Sequence, residues 1–297
     1  SQLAKLNALK KMFAGRVMFP IMDVRSRVIA FGGRVMGEGE PKYLNSPETP
    51  LFHKGFNLYG LAQALPAIRD KGQAVVVEGY PDVIALHQAG IATAVAPLGT
   101  ALTEDQMRLL WRHAAEPILC FDGDSAGQRA AARAAERGLP ILQPGKGHRF
   151  VELPQGEDPD TLVRARGAAA VADLLRSARP LSDVIWQIET QGRRTDTPEA
   201  RAGLEARFRE LTAGIADETV RRHYQSAYRG RVWDLYKQSR GAGRNSAAGR
   251  LPARAAAEAR IDPIRMQEEI LLAALISHPG LLDAVGEELG TLAFVSP

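Results

Sequence analysis

The chain has 297 residues, of which 45% are hydrophobic and 24% charged, an ordinary balance for a soluble globular protein. No apolar run approaches the roughly 18 residues that a membrane-spanning helix needs, and the single cysteine, Cys120, excludes intrachain disulfides and a multi-cysteine zinc cluster. The net charge of +4 is unevenly spread: +5 over residues 1–60, −3 over 61–190, +7 over 191–260 and −5 from 261 onward. We therefore expect a cytoplasmic protein in which basic segments flank an acidic centre, as a site for a polyanion beside metal ions requires. For residues 191–260 alone, arginine-rich solvated helix faces are the simpler interpretation.

The first part of the chain combines a predicted hairpin, a loop and a short helix. RVMFPIM (16–22) and RVIAFGGRV (27–35) have strand-like composition and are joined by a short polar turn, which predicts an antiparallel pair. Residues 37–55 hold Pro, Gly and Asn with little periodicity and are predicted to form a loop. A loop of that length inside a compact domain is usually functional or disordered. Residues 58–68 are predicted to form a short helix.

From residue 71 onward, short apolar segments alternate with helical ones. QAVVVEG, ATAVAPLG and PILCFDG are the strand candidates, and PDVIALHQAG, TEDQMRLLWRHA and DSAGQRAAARAAERG are the helix candidates. This alternation favours a mostly parallel α/β sheet with helices on its faces. A further strand is predicted near residues 147–153, followed by mainly helical sequence to about residue 238.

The C-terminal sequence changes character at residue 239. Residues 239–261 are rich in Gly, Ala, Ser and Arg and lack an apolar stripe until their end, which predicts a flexible basic linker. Two amphipathic helices are predicted after it, separated by His278-Pro279-Gly280. The predicted division of the whole chain is into residues 1–70, 71–165, 166–238, 239–261 and 262–297.

Two of the predicted strands end in carboxylates. Glu78 ends the run VVVE, and Asp122 follows the run ILCF, with Asp124 two residues later. Ligands of an open α/β sheet bind outside the carboxyl ends of its strands, so we expect these side chains to converge there. Carboxylates that converge without a cation repel one another, and oxygen-only ligands suit Mg²⁺ or Mn²⁺. The pattern favours a metal site, and two such ions would suit phosphoryl transfer.

These carboxylates also have a structural interpretation. A lone Asp between a strand and a helix is most often an N-cap, so Asp124 is expected either to cap the next helix or to turn back toward the crevice. Glu78 is harder to explain in this way, because glutamate is a poor strand former and an indifferent cap. Glu78 and Asp122 taken together, on two strands of one predicted sheet, favour the metal site.

Five stretches in this order resemble the catalytic core of bacterial DnaG-type DNA primases, which have the Toprim fold shared with topoisomerases and some nucleases. They are PKYLNSPETPLFHKG (41–55), VVVEGYPDVIAL (75–86), APLGTALT (96–103), FDGDSAGQRAA (121–131) and LPQGEDPDTLV (153–163). The resemblance covers about residues 16–235. It implies an α/β fold: a Toprim-type mostly parallel sheet with flanking helices, preceded by part of a basic α+β subdomain and followed by a helical subdomain.

The resemblance also implies roles for individual residues. The catalytic, metal-binding carboxylates would be Glu78, Asp122 and Asp124, with Asp158 and Asp160 in the same acidic centre. From the residues alone, Asp160 would be predicted as a helix N-cap and Asp158 as exposed. The nucleotide would be bound by Lys42, Asn45, Lys54, Tyr80 and Asp82, and the DNA by Arg34 and Lys42. Lysines and an amide suit triphosphate oxygens because they are hydrogen-bond donors, charge-assisted in the case of lysine.

The activity implied by the resemblance is that of a DNA-directed RNA polymerase, which synthesises short RNA primers on single-stranded DNA for replication. Ribonucleoside triphosphates would be the substrates, and two Mg²⁺ or Mn²⁺ ions the cofactors. Zinc is not expected, because the family's N-terminal zinc-binding module has no counterpart in this sequence. The sequence from about residue 262 is similar to the incomplete beginning of the family's helicase-interaction domain, which makes the replicative helicase a candidate partner. We expect a monomer that does not bind membranes.

Two other function classes remain open. One is another Toprim enzyme, a topoisomerase or a nuclease, although nothing in the sequence resembles the separate domain that carries a topoisomerase's tyrosine nucleophile. The other is a non-catalytic fragment that binds single-stranded DNA or nucleotide and has lost turnover. The intact set of carboxylates argues against this second class.

Overall fold

The computed structural model of the chain describes residue 7, residues 10–99 and residues 101–246. The chain divides into two compact units, residues 1–240 and 241–297. The predicted helices of residues 262–297 and most of the predicted linker lie outside the described residues. Among the helices that are described, none is long and apolar enough to cross a membrane.

A three-stranded antiparallel sheet, here called the small sheet, comes first. β1 (Arg16–Met22) pairs with β2 (Val28–Val35), which confirms the predicted hairpin, and β2 pairs with β3 (Tyr43–Asn45). Asp23 fixes the hairpin turn, because its Oδ1 accepts two backbone N–H groups of the turn at 2.9 and 3.0 Å. The prediction of a loop over residues 37–55 was wrong for β3. So short a strand has no periodicity of its own and is held by its pairing with β2.

A 3₁₀ turn (Lys54–Phe56) and helix α1 (Leu61–Lys71) lead to the second sheet. The helix starts three residues later than predicted, because the chain before it is extended and Tyr59 exchanges two backbone hydrogen bonds with Ala96, at 2.8 and 3.1 Å. Gly60, in the left-handed region with a φ of 78°, makes the change from extended chain to helix.

The second, larger sheet is five-stranded and mostly parallel, as predicted. Its order is β5-β4-β6-β7-β8, and only β8 runs antiparallel to its neighbour. Every residue of β4, β5 and β6 is buried, so these strands are continuous apolar runs without polar alternation. The strands are β4 (Val75–Val76), β5 (Ala94–Val95), β6 (Ile118–Phe121), β7 (Arg149–Glu152) and β8 (Arg179–Pro180).

Helices cover both faces of the large sheet. Successive strand residues point to opposite faces: Val76 and Leu119 belong to one hydrophobic cluster, and Val75 and Ile118 to another. The first cluster includes residues of α1, α3, α4, α6, α7 and α8, and the second includes residues of α2 and α5. The helices after α1 are α2 (Tyr80–Gln88), α3 (Glu104–Trp111), α4 (Ser125–Gly138), α5 (Pro159–Arg176), α6 (Leu181–Thr190), α7 (Pro198–Ala213) and α8 (Glu218–Ser246).

The last described helix is longer than the sequence pattern indicates. α8 continues to Ser246, so residues 239–246, predicted as the start of a flexible linker, are helical. Gly241 and Gly243 disfavour helix, but the arginines and alanine beside them favour it, and helical backbone hydrogen bonds need no apolar stripe. Residues 247–261 of the predicted linker lie beyond the described part of the chain.

Candidate active site

A cavity of about 470 Å³ opens at the carboxyl edge of the large sheet. One side is formed by small-sheet residues and the other by residues that follow strands of the large sheet. Of the predicted site residues, nine line it: Arg34, Lys42, Asn45, Glu78, Tyr80, Asp82, Asp122, Asp158 and Asp160. The structure therefore brings together most of the residues that the sequence predicted.

Glu78 and Asp122 are in direct contact at this edge. β4 and β6 are parallel neighbours, so the residues that follow them leave the sheet side by side. Glu78 Oε1 accepts the backbone N–H of Asp122 at 3.1 Å. On the Asp122 side chain, Oδ1 is buried and has no hydrogen-bond partner among the described residues. Burial, and then the neighbouring carboxylates, of which Glu78 contributes most, raise the pKa of Asp122 to about 7.

Asp82 is the most buried carboxylate that lines the cavity, with 8% of its surface exposed. Its Oδ2 accepts the backbone N–H of Gly79 at 3.0 Å, which closes the first turn of α2. Burial, together with the charges of Asp158, Asp160 and Glu78, raises the pKa of Asp82 to about 6, against the opposing effect of the Gly79 hydrogen bond. Asp82 is therefore part of the same repelling group as Asp122.

Asp158 and Asp160 reach the cavity from the start of α5. Asp158 is the N-cap: its Oδ1 accepts the backbone N–H of Thr161 at 2.7 Å. Asp160 lies in the first turn and forms an ion pair with Arg164 at 2.7 Å. The prediction from the residues alone, with Asp160 as cap and Asp158 exposed, was wrong. Pro159 explains the difference, since proline without an N–H suits the first helical position, and the residue before it then becomes the cap.

Asp124 does not line the cavity. Its Oδ1 accepts the backbone N–H groups of Ala126 and Gly127, both at 2.8 Å, so of the two expected orientations the structure has the N-cap of α4. The side chain is exposed at the start of this helix. Its charge still acts on Asp122, whose pKa it helps to raise.

Gly123 allows the two acidic turns to meet. A Cβ atom at Gly123 would lie 1.9 Å from the carbonyl oxygen of Pro154. The Gly123 N–H donates to Glu157 O at 2.8 Å, and the Gly156 N–H donates to Gly123 O at 3.2 Å. These contacts hold the turn that precedes Asp158 against the turn that carries Asp122. The sequence alone could not identify the segment that packs on Gly123.

Gly127 has a similar role that the sequence did not indicate. A Cβ atom there would lie 2.1 Å from the backbone oxygen of Asp122. The start of α4 therefore packs directly on the chain at Asp122. A glycine in the first turn of a helix does not by itself indicate such a contact, which is set by the tight turn between the end of β6 and the start of α4.

The small sheet supplies cations opposite the carboxylates. Arg34 and Lys42 line the cavity, and neither forms an ion pair with a described residue. The Arg34 guanidinium lies over the ring of Tyr43, 5.8 Å from its centre, which favours a fixed arginine position. Tyr43 also lines the cavity and was not among the predicted site residues. An aromatic residue next to Lys42 was the only signal that pointed to it.

Tyr80 and Asn45 link three segments around the cavity. The Tyr80 hydroxyl donates to Asn45 Oδ1, and Asn45 Nδ2 donates to Leu98 O at 2.9 Å. Gly32 accommodates the tyrosine ring, since a Cβ atom there would lie 2.7 Å from it. Both polar atoms of the Asn45 amide are thus engaged within the protein, which leaves one amide hydrogen for a ligand.

Lys54 is the one predicted nucleotide-binding residue that is not in the cavity lining. It begins the 3₁₀ turn, and its backbone N–H donates to Glu48 Oε1 at 3.2 Å. Its ammonium group forms no ion pair with any residue in the described part of the chain.

The carboxylates of the cavity fit a hard divalent cation. Five of them face two cationic side chains, and the raised pKa values of Asp122 and Asp82 are the consequence of their repulsion and burial. An unpartnered buried oxygen on Asp122 and an oxygen-only donor set suit Mg²⁺ or Mn²⁺. As they stand, however, no three Asp, Glu, His or Cys side chains of the described residues converge to hold one ion. An ion would therefore require side-chain rotation at this edge.

Comparison with known proteins identifies the family. Residues 2–65 match the N-terminal domain of the DNA primase catalytic core, and residues 72–150 match the Toprim domain. A solved DNA primase domain from Pseudomonas aeruginosa is 48% identical, with a TM-score of 0.69 over 74% of this chain and 68% of that one. The chain belongs to the DnaG-type DNA primases. This confirms the predicted family and fold class.

Two further relatives define how much of such a primase this chain represents. A solved DnaG primase catalytic domain bound to single-stranded DNA is 47% identical, with a TM-score of 0.66 over 72% of this chain and 69% of that one. The DNA primase of Rickettsia felis is 41% identical over 237 residues, which are 79% of this chain and 40% of the relative. The chain therefore spans less than half the length of that curated primase.

A methyl group at Gly123 should separate the two acidic turns. We expect Gly123→Ala to lower the free energy of unfolding by about 2 kcal/mol or more, because the new Cβ collides with the Pro154 carbonyl. Urea unfolding measures the change. The matched control is Gly203→Ala in α7, where a Cβ atom meets nothing within 4 Å and alanine should stabilise the helix by up to about 1 kcal/mol. Equal stability of Gly123→Ala and the wild type would contradict the packing described.

Removal of the Asp122 charge should stabilise the metal-free protein at alkaline pH. The folded-state pKa of about 7 lies above the unfolded value near 3.9, so the folded wild type binds the extra proton and loses stability as the pH rises through 7. We expect Asp122→Asn to melt at a higher temperature than the wild type at pH 8 in EDTA. The difference should shrink as the pH falls and vanish near pH 4.

The control for this experiment is Asp70→Asn, at the exposed end of α1. The difference in melting temperature between Asp70→Asn and the wild type should not grow in this way between pH 5 and pH 8. An Asp122→Asn protein that is less stable than the wild type at pH 8 would show that repulsion does not dominate this edge.

Proposed function

We propose that this chain is the catalytic core of a DNA-directed RNA polymerase that synthesises short RNA primers on single-stranded DNA for replication. The proposal is carried by one cavity, in which the carboxylates at the Toprim sheet edge face Arg34 and Lys42. Neither cation forms an ion pair with any residue that the structure describes. Nucleotidyl transfer needs both: cations that bind phosphate, and carboxylates that bind metal ions. Membership of the DnaG-type family and a related catalytic domain bound to single-stranded DNA support it.

Glu78, Asp122, Asp158 and Asp160 would hold Mg²⁺ or Mn²⁺, and two ions suit this chemistry. When bound, such ions activate a 3′-hydroxyl for attack and neutralise the charge of the departing pyrophosphate. The protein's own side chains would supply position and charge, so no covalent intermediate with the enzyme is needed. For Asp124, Oδ1 is used in capping α4, and Oδ2 remains available to an ion.

The cationic side of the cavity would bind the substrates. Lys42 offers its ammonium as a charge-assisted donor to triphosphate oxygens, and Arg34, held over Tyr43, offers a planar fork to a DNA phosphate. The Tyr80 hydroxyl and the Leu98 carbonyl would fix the orientation of the Asn45 amide, whose one remaining hydrogen could then be donated to the nucleotide. Lys54 and Asp82 complete the proposed nucleotide site. Helicase binding by residues 262–297 and a monomeric state remain predictions.

One observation favours a second candidate function. No three of the carboxylates in the described part of the chain are placed to hold one metal ion. The same arrangement is expected in a fragment that binds DNA or nucleotide but has lost catalytic turnover. The topoisomerase and nuclease alternatives have no such support, because the relatives reported above are DNA primases.

The proposal predicts Mn²⁺-dependent incorporation of a labelled ribonucleotide onto a primer already annealed to single-stranded DNA. A ready-made primer isolates elongation from initiation. Asp122→Asn should reduce incorporation by at least about a hundredfold, because the carboxylate that would contact the ions is lost. Its circular dichroism spectrum should be unchanged, and the exposed control Asp70→Asn should retain wild-type incorporation.

Two results would contradict the proposal in different ways. Wild-type incorporation by Asp122→Asn would remove the acidic edge from the mechanism. No incorporation by the wild type, with binding of single-stranded DNA intact and insensitive to EDTA, would favour the non-catalytic candidate.

A further inference from the structure

Gln106, in the first turn of α3, is a fully buried polar residue with 0% of its surface exposed. Its Nε2 donates to two backbone carbonyls of the 3₁₀-turn region, Lys54 O at 2.9 Å and Asn57 O at 2.7 Å. Its Oε1 accepts the backbone N–H of Thr103 at 3.0 Å. Burial of an amide is costly unless its polar atoms find partners, and here both donors and the acceptor are used.

Thr103 adds a second contact to the same region. Its hydroxyl donates to Gly55 O at 2.6 Å and accepts the backbone N–H of Gln106 at 3.1 Å. Thr103 and Gln106 form the capping box of α3, which ordinarily satisfies only the N–H groups at a helix start. Here the remaining donors of the two side chains hold the carbonyls of Lys54, Gly55 and Asn57.

The same turn is held from its other side. Glu48 Oε1 accepts the backbone N–H of Lys54 at 3.2 Å, and Asn57 Nδ2 donates to His53 O at 2.9 Å. The backbone around Lys54 is therefore fixed by hydrogen bonds on both sides. Its ammonium, by contrast, has no ion-pair partner among the residues that the structure describes. The hydrogen bonds therefore fix the point from which the lysine side chain extends, which limits where its ammonium can lie.

We infer that Gln106 is a positioning residue for nucleotide binding, which acts with Thr103 by holding the Lys54 segment where the lysine ammonium reaches the nucleotide phosphates. The inference rests on the proposed function. A lysine binds phosphate as a point charge at the end of a flexible stem, so the position of its backbone determines where that charge lies. Gln106 itself, fully buried, touches no substrate.

The test is Gln106→Met, which retains the length of the side chain and removes its hydrogen bonds. In the primer-extension assay we expect the KM for the incoming ribonucleotide to rise about tenfold with kcat little changed, because two carbonyls lose their donors and the Lys54 segment loosens. The matched control is Gln88→Met at the exposed end of α2, which should leave both constants unchanged.

Two conservative substitutions of Thr103 provide a second test, which does not depend on whether the Gln106 variant folds. Thr103→Val removes the hydroxyl at nearly constant shape and should raise KM. Thr103→Ser retains the hydroxyl and should have a KM close to the wild type. Equal constants for these two variants would contradict the role of this anchor.

A double-mutant cycle separates positioning from general destabilisation. Lys54→Met should raise KM by itself, and in that background Gln106→Met should add little, because it acts through the missing ammonium. Independent, additive increases would overturn the inference.

The cycle also separates this inference from the proposed function. An unchanged KM in Lys54→Met, with the wild type active, overturns the inference and the assignment of Lys54 to the nucleotide site, and leaves the proposed polymerase activity standing. If the wild type incorporates nothing, the proposed function fails, and the same cycle is then measured as the Kd of a fluorescent ribonucleoside triphosphate, where additivity again overturns the inference.

Discussion

Repulsion among carboxylates at one edge of a parallel sheet is the constraint on which the site depends. Parallel pairing of β4 and β6 places Glu78 against the backbone of Asp122, and burial there denies the carboxylates the water that would otherwise screen them. Close backbone contacts hold these carboxylates near one another, and few side chains could be introduced at those contacts. Gly123 is the clearest case, because no side chain fits between its turn and the turn before Asp158. A divalent cation would relieve the repulsion, and in the proposed function it would also pair with the phosphates of the nucleotide at this edge.

The opposite side of the cavity shows a different way to place charge. Arg34 lies over an aromatic ring, and Asn45 is held by a tyrosine hydroxyl. Outside the cavity lining, the backbone around Lys54 is anchored by Gln106. In each case neutral contacts fix the side chain or the backbone that carries it, and neither Arg34 nor Lys54 forms an ion pair with a described residue. This arrangement suits substrates that bring negative charge and leave again, because neither cation must first break an ion pair with a residue in the described part of the chain.

The sequence predicted those features that depend on local rules. Alternating apolar strands and helices predict the parallel sheet, and the rule that ligands bind at strand ends predicts that Glu78 and Asp122 converge. Contacts between distant segments were beyond such rules: the Tyr80–Asn45 hydrogen bond joins residues 35 apart, and the Gln106–Lys54 bond joins residues 52 apart. Strand β3 was missed for the same reason, since only its pairing with β2 defines it. The exchange of roles between Asp158 and Asp160 was local and could have been predicted from the proline between them.

Direct binding of Mn²⁺, measured by electron paramagnetic resonance at pH 8 without nucleotide or DNA, tests the central claim most directly. We predict saturable binding to the wild type and an increase in Kd of about tenfold or more in Asp122→Asn, because a carboxylate is removed whose buried Oδ1 has no hydrogen-bond partner among the described residues. Equal binding of Mn²⁺ to the two proteins, or no saturable binding to the wild type, would contradict the claim that this sheet edge is built for a divalent cation.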